Sequence, residues 1–286
     1  MIKLDGRATS KSIREEIAQE VLKLNPKAPK AQETVNGGKT PHLVAVLVGN
    51  NGASQTYVNA KMRDCEEVGF QSSTVRLPET VGQDELLEKV NQLNNDPQVD
   101  GFIVQLPLPQ HIDEQKVIMA VHPAKDVDGF HPENMGKMAL GLPTFLPATP
   151  KGIMDLIDRY QIETSGKNCV VVGRSHIVGL PASILLGRNG YPGNATVTLA
   201  HSRTSNLDEL LRSADIIIAA LGKPKFITAN LVKEGAVIID VGTTRVADES
   251  KKSGYRLVGD VDYENVAPKA AYITPVPGGV GPMTRV

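Results

Sequence analysis

The sequence predicts an α/β protein built as two α/β lobes. Three observations carry that expectation. Short aliphatic, β-branched runs alternate with longer amphipathic stretches in both halves of the 286 residues. The halves are parted by a stretch at 135–149 punctuated by glycine and proline. In the second half, an apolar run ends at Gly173 in a turn of small residues that opens a helix at Gly179.

Taken in order, residues 7–24 set Ile13, Ile17, Val21 and Leu24 at helical spacing. Residues 25–41, rich in Pro, Lys and Gly, read as an exposed loop. The run 43–48 reads as a buried strand, and 52–69 as a helix with Asn50 or Asn51 at its start and Gly69 as its stop. A strand over 71–77, a helix over 83–94 and a strand over 99–105 complete a β-α-β-α-β series. Its helix-length connections imply parallel pairing. A helix at 114–121 follows, 135–149 reads as irregular, and Pro150 opens a helix to 160. Strands at 169–172, 195–200, 215–221 and 236–241 then alternate with helices at 179–188 and 207–213. Short strands at 257–260 and 272–274 precede a glycine-dense loop at 274–284. The expected domains are 1–148, a Rossmann-like dinucleotide-binding domain at 149–274 and a return segment, 275–286, running back towards the first, with the active-site cleft between the two lobes.

Composition narrows the function. The formal net charge is −1, so no basic surplus points to nucleic acid or to a membrane surface. The opening residues lack the apolar run of a signal peptide, and the longest apolar run, 216–221, is far too short to span a bilayer. The two cysteines, Cys65 and Cys169, suggest no disulfide framework, and a reducing cytoplasm fits them. No HxxxH or CxxC spacing supports a zinc site.

Two places carry chemistry. On the 52–69 helix, Ser54, Tyr57, Lys61, Cys65 and Val68 share one face. A lysine on an apolar stripe either snorkels to water or stays desolvated, where it serves as an acid or base. Tyr57 is a core aromatic, a stacking platform for a ligand one turn from Lys61, or both. The second place is Gly173-Arg-Ser-His-Ile-Val-Gly179. Small residues there would let the backbone approach a pyrophosphate at a helix N-terminus, although an ordinary βα turn reads the same way. The next strand ends in His201-Ser-Arg-Thr204 with no acid. Cationic and hydroxyl groups at that point favour the 2′-phosphate of NADP over the free ribose of NAD. The plainer reading of Arg203 is a solvated surface arginine.

Five segments in fixed order make the pattern specific. They are Tyr57-Val-Asn-Ala-Lys61, Gln105-Leu-Pro-Leu-Pro109, Pro123-Ala-Lys-Asp-Val-Asp-Gly-Phe130, Val172-Gly-Arg-Ser-His-Ile-Val-Gly-Leu-Pro181 and Pro277-Gly-Gly-Val-Gly-Pro-Met-Thr284. Over nearly its whole length the chain resembles the bifunctional methylenetetrahydrofolate dehydrogenase/methenyltetrahydrofolate cyclohydrolase family. The resemblance implies a cytoplasmic homodimer acting on tetrahydrofolate derivatives, with or without a polyglutamate tail. It implies oxidation of 5,10-methylenetetrahydrofolate with NADP+, then hydrolysis to 10-formyltetrahydrofolate. By the match of motifs, Lys61 is the acid/base residue, Gln105 its partner, Tyr57 the stacking ring and Asp128 the carboxylate that holds the pterin. Ser54, Pro277, Gly278 and Gly279 fall on the substrate side. Gly173, Arg174, Ser175, Ile177, Ser202, Arg203 and Thr243 fall where the family meets its cofactor. The family normally has a shorter connection at 25–41 and continues past Pro282-Met-Thr284 into a C-terminal helix.

The chemistry agrees with these roles. Hydride transfer depends on geometry, whereas hydrolysis of a methenyl cation needs a group that manages protons. A carboxylate suits the paired N–H donors of a pterin edge. Asp126 and Asp128 share a side of an extended segment, and the local habit of aspartate before a glycine makes Asp126 a turn residue. Two other readings stay open: a dehydrogenase without the hydrolytic step, and a non-catalytic dinucleotide sensor.

Overall fold

The structure, a computed structural model, describes residues 1–24, 39–251 and 254–286. The expected loop at 25–41 lies mostly outside them. The chain divides into two compact units, Lys11–Leu146 and a second made of Met1–Ser10 with Pro147–Val286. It opens with β1 (Ile2–Lys3) and α1 (Gly6–Leu24).

The first unit holds β2 (His42–Val48), α2 (Gly52–Val68), β3 (Gln71–Leu77), α3 (Gln83–Asn95), β4 (Gly101–Val104), α4 (Glu114–Ala120) and α5 (Pro132–Ala139). Its sheet runs β3-β2-β4 and is parallel, as the helix-length connections imply. The central strand is aliphatic because both of its faces are covered. Val44, Val46 and Val48 pack with Leu86, Val90 and Phe102, while Ala45 and Leu47 pack with Val58 and Ile103. Asn51 caps α2 by accepting from the amides of Ala53 and Ser54 at 3.0 and 3.1 Å, and Gly69 ends it at φ 86°. α5 lies where an irregular stretch is expected. His131 accepts the Glu133 amide and Pro132 occupies the first turn, a start signal diluted by Gly136 and few periodic apolar residues.

The second unit continues with α6 (Ala148–Arg159), β5 (Asn168–Val172), α7 (Gly179–Gly187), β6 (Thr196–Ala200), α8 (Leu207–Ser213) and β7 (Ile216–Ala219). It ends with β8 (Val237–Asp240), β9 (Thr244–Ala247), β10 (Tyr255–Val258), α9 (Tyr263–Val266), β11 (Tyr272–Ile273) and α10 (Val280–Met283). Six strands form one parallel sheet, ordered β1-β11-β8-β7-β5-β6. After β5 the chain goes outward to β6 and then returns to the other side of β5 as β7. The carboxyl ends of β5 and β7 therefore form the switch point at which doubly wound sheets bind ligands. β9 and β10 form a separate antiparallel hairpin, with Arg245 stacked 4.7 Å over Tyr255.

Two domain limits differ from expectation. Residues 1–10 belong to the second unit, because Ile2 and Leu4 donate to the carbonyls of Ala271 and Ile273 and Leu4 is fully buried. Residues 275–286 stay with that unit as well. A Cβ on Gly152 of α6 would lie 2.7 Å from the Met283 Cβ, so the glycine lets α10 dock on α6.

Candidate active site

In the first unit, Gly101 sets the geometry. A Cβ there would fall 2.3 Å from a Val127 methyl, so its absence lets the segment after α4 lie along β4. The Phe102 amide donates to the Lys125 carbonyl at 2.9 Å. This brings Asp128 to α2, where the Lys61 Nζ donates to Asp128 Oδ1 at 3.1 Å, with both side chains largely buried at 13% and 16% exposure. Nζ also lies 5.9 Å from the centre of the Tyr57 ring, within cation–π range. The fully covered face of α2 carries Ser54, Val58, Ala60, Cys65 and Val68; Tyr57 and Lys61 keep a minor part of their surface exposed. The expected stripe is therefore rotated, with the lysine on its rim rather than its centre. Burial pushes the Cys65 thiol up to about 11, so it is an inert packing group.

Gln105 follows β4, and its amide donates to the Leu106 carbonyl at 2.7 Å. Lys61 is thus paired with Asp128 and not with Gln105, which is the expected partner. The two aspartates divide as the turn chemistry predicts. Asp126 is buried and accepts from the His131 amide and from Asn134 Nδ2, at 2.8 and 2.9 Å. It folds the 126–131 turn, whereas Asp128 is left to the lysine; both aspartates border a recess lined by Phe102, Leu106 and Phe130.

The second unit builds its candidate site from backbone. Gly173 has φ 118°, and a Cβ on it would lie 2.1 Å from the Ala220 carbonyl oxygen at the end of β7. A Cβ on Gly179 would lie 1.8 Å from the Gly173 carbonyl oxygen. Both positions demand glycine for close packing, which places the turn against the helix N-terminus at the switch point. Ser175 Oγ accepts from the amides of Val178 and Gly179 at 3.2 and 3.4 Å. Arg174, Ser175 and Ile177 are exposed at the rim. Ser202 and Arg203 are exposed on a turn closed by Thr204 Oγ1, which accepts the His201 amide at 3.0 Å.

Thr243 is exposed beside a buried acidic pair that sequence reasoning missed. Asp240 accepts from the amides of Gly242, Asp260 and Val261, each at 2.9 Å. Asp260 accepts from the amides of Leu221 and Gly222 at 2.6 and 2.9 Å, tying the loop after β7 to the segment after β10. Burial pushes the Asp240 carboxyl up to about 7, against the pull of its three amide donors. Glycines at 242 and 259, where any side chain would strike these carboxylates, were the one signal the sequence offered. Of the glycine-dense loop, Pro277 is exposed while Gly278 and Gly279 are buried.

Comparison with known proteins matches the chain to two domains of one family. Residues 4–128 match the tetrahydrofolate dehydrogenase/cyclohydrolase catalytic domain, and 147–286 match the NAD(P)-binding domain of the same family. The chain is 62% identical over 281 residues to the bifunctional protein FolD of Cytophaga hutchinsonii, covering 98% of this chain and 94% of that one. It is 58% identical to that of Bacteroides fragilis, covering 100% and 94%. Among solved structures, the bifunctional FolD of Campylobacter jejuni superposes with a TM-score of 0.90 at 44% identity, covering 100% of this chain and 94% of that one. The Trypanosoma brucei enzyme, solved with NADP cofactor and inhibitor, superposes with a TM-score of 0.91 at 39% identity, covering 100% and 93%. With both units matched along nearly their full length, the chain belongs to the tetrahydrofolate dehydrogenase/cyclohydrolase family.

Proposed function

We propose that Lys61 and Asp128 carry the proton chemistry of a two-step reaction. The chain oxidises 5,10-methylenetetrahydrofolate with NADP+ to the methenyl compound and hydrolyses that to 10-formyltetrahydrofolate. The single observation behind the residue assignment is the largely buried Lys61–Asp128 pair beside the Tyr57 ring.

In the hydrolysis, a water oxygen bonds to the methenyl carbon and the bond from that carbon to one ring nitrogen breaks. The water gives up both of its protons on the way to the formyl group: Lys61 Nζ passes one to the departing nitrogen, and the other leaves to solvent. Asp128 holds the lysine in place through Oδ1, and its remaining acceptor sites suit the N–H donors of the pterin edge. Tyr57 supplies a face on which the pterin stacks, and Ser54 lines α2 one turn earlier. Gln105, free of charge, orients the water or the substrate from the end of β4.

NADP fits the residues of the second unit. The glycine turn at 173 and 179 packs closely on the N-terminus of α7, the place where such folds hold a pyrophosphate, and Arg174, Ser202 and Arg203 are exposed to meet a 2′-phosphate. When bound, the nicotinamide supplies the hydride acceptor. Ser175, Ile177 and Thr243 border the same cradle, and Pro277 to Gly279 face the folate. The enzyme works as a homodimer in the cytoplasm, a compartment that suits its two free, buried thiols.

The deciding assay supplies methylenetetrahydrofolate and NADP+ and follows NADPH and methenyl absorbance together. NADPH should appear, and methenyl product should clear faster than in buffer. Failure of the second alone leaves a monofunctional dehydrogenase. NADP+ binding with neither signal leaves a sensor.

A further inference from the structure

The glycine loop at 277–279 is held from beneath by the start of the chain. A Cβ on Gly6 would lie 1.7 Å from the Gly279 carbonyl oxygen, and the Arg7 amide donates to the Gly278 carbonyl at 3.2 Å. From the other side, a Cβ on Gly279 would meet the Thr274 Cβ at 2.6 Å, and the Gly279 amide donates to the Pro275 carbonyl at 2.8 Å. Gly6 lies outside the left-handed region of backbone space, so its own conformation accepts any residue. Only the loop excludes a side chain there. The turn carrying Gly6 is itself pinned. Leu4 bonds to Ile273 through β1, Asp5 Oδ1 accepts the amides of Arg7 and Ala8 at 3.1 Å each, and the Asp5 amide donates to the Tyr160 hydroxyl at 2.9 Å.

We propose that the Gly6–Arg7 turn is a positioning element for the folate reaction, setting by backbone contact alone where Pro277 stands. This rests on the reading of 277–279 as a folate-contacting loop. Two buried glycines form the stem of that loop and one exposed proline its tip. The stem touches Gly6 and Arg7, so a displacement of the turn by the width of a methyl group is passed to the tip.

The test uses the full chain with two substitutions. Gly6→Ala adds the excluded methyl. Arg7→Pro removes the amide shared between the Gly278 carbonyl and Asp5 Oδ1, at a position in the first turn of α1 where proline is tolerated, and is compared with Arg7→Ala, which keeps the donor, and with Asp5→Ala, which removes only the Asp5 acceptor. Three measurements are made: hydrogen exchange across 276–282, KM and kcat for methylenetetrahydrofolate and methenyltetrahydrofolate, and the dissociation constant of 2′,5′-ADP, which reports the adenine half of the cofactor site. The expected result is faster exchange and a rise of about two- to tenfold in KM for both folates, the range of one lost backbone hydrogen bond, with 2′,5′-ADP binding unchanged. Parallel weakening of 2′,5′-ADP overturns the proposal, because the effect is then general loss of the unit. Unchanged exchange with unchanged kinetics means the clamp does not hold the loop. Faster exchange with unchanged folate kinetics means the clamp holds but the loop does not serve the folate; this separates failure of the underlying reading from failure of the contact.

Discussion

The two units make their candidate sites from different materials. In the first, side chains do the work: a lysine on α2 and an aspartate from a loop, 67 residues later, meet at 3.1 Å. In the second, the site is main chain. Glycines at 173 and 179 let carbonyls approach within distances that no Cβ tolerates, and exposed side chains only line the rim. A side-chain site is broken by truncation with the fold intact. A backbone site is broken by adding a single methyl group.

The largest expected effect is on the first kind. Lys61→Ala should lower methenyl hydrolysis by about 10²–10⁴-fold, the usual worth of a positioned acid/base group, while NADP+ binding stays as it was. Retained hydrolysis would remove the lysine from the mechanism. Next is Gly179→Ala, for which overpacking costs about 1–3 kcal/mol and has no flexible side chain to yield. Oxidation should be lost, yet hydrolysis of supplied methenyltetrahydrofolate, which consumes no cofactor, should continue. Equal loss of both activities would erase the contrast between the units. Asp128→Asn should raise the folate KM about tenfold, consistent with one charged hydrogen bond, and an unchanged KM and kcat would count against the pterin role. Arg174→Ala should weaken NADP+ more than NAD+ by several-fold, measured as the ratio of their dissociation constants. Equal losses would contradict the 2′-phosphate assignment.

The last test is one of pH. The Asp240 carboxyl is raised in the folded chain from its ordinary value near 3.8 to about 7. The folded state therefore holds a proton that the unfolded state has released over that interval. Its stabilising contribution is complete below pH 3.8 and is lost as pH climbs to about 7. A carbon-13 carboxyl titration should place the Asp240 midpoint near 7, and a midpoint below 4 would show that its three amide donors outweigh burial.

Much of the fold was legible because it is local. β2, α2, β3 and α3 follow from aliphatic runs, an asparagine cap and a glycine stop within each segment, and their bounds agree to within a residue or two. What escaped depends on partners distant in sequence. Ile2 and Lys3 look like a polar lead-in and become a strand only because β11 offers an edge. β9 has the mixed pattern of a half-covered ribbon and needs β10 to be one. The site divides in the same way. The residue types and motif order pointed to Lys61, Asp128 and the Gly173 turn, but periodicity could not reveal that Asp128 takes the lysine while Gln105 turns to its own chain. Asp240 and Asp260 carried no motif, since what marks them is the set of amides gathered around each.

The placement of β1 at the far edge of the six-stranded sheet also bears on synthesis. The first unit is contiguous, Lys11–Leu146, so all of its residues have emerged once Leu146 has. The second unit is closed by pairing Ile2 with Tyr272, so β1 waits for a partner made long after it. At about 5–20 residues per second, Leu4 waits roughly 15–50 s for Ile273. The leading segment must therefore stay unpaired while the first unit folds behind it. The sheet that carries the cofactor cradle gains its β1 edge only after β11 has been made.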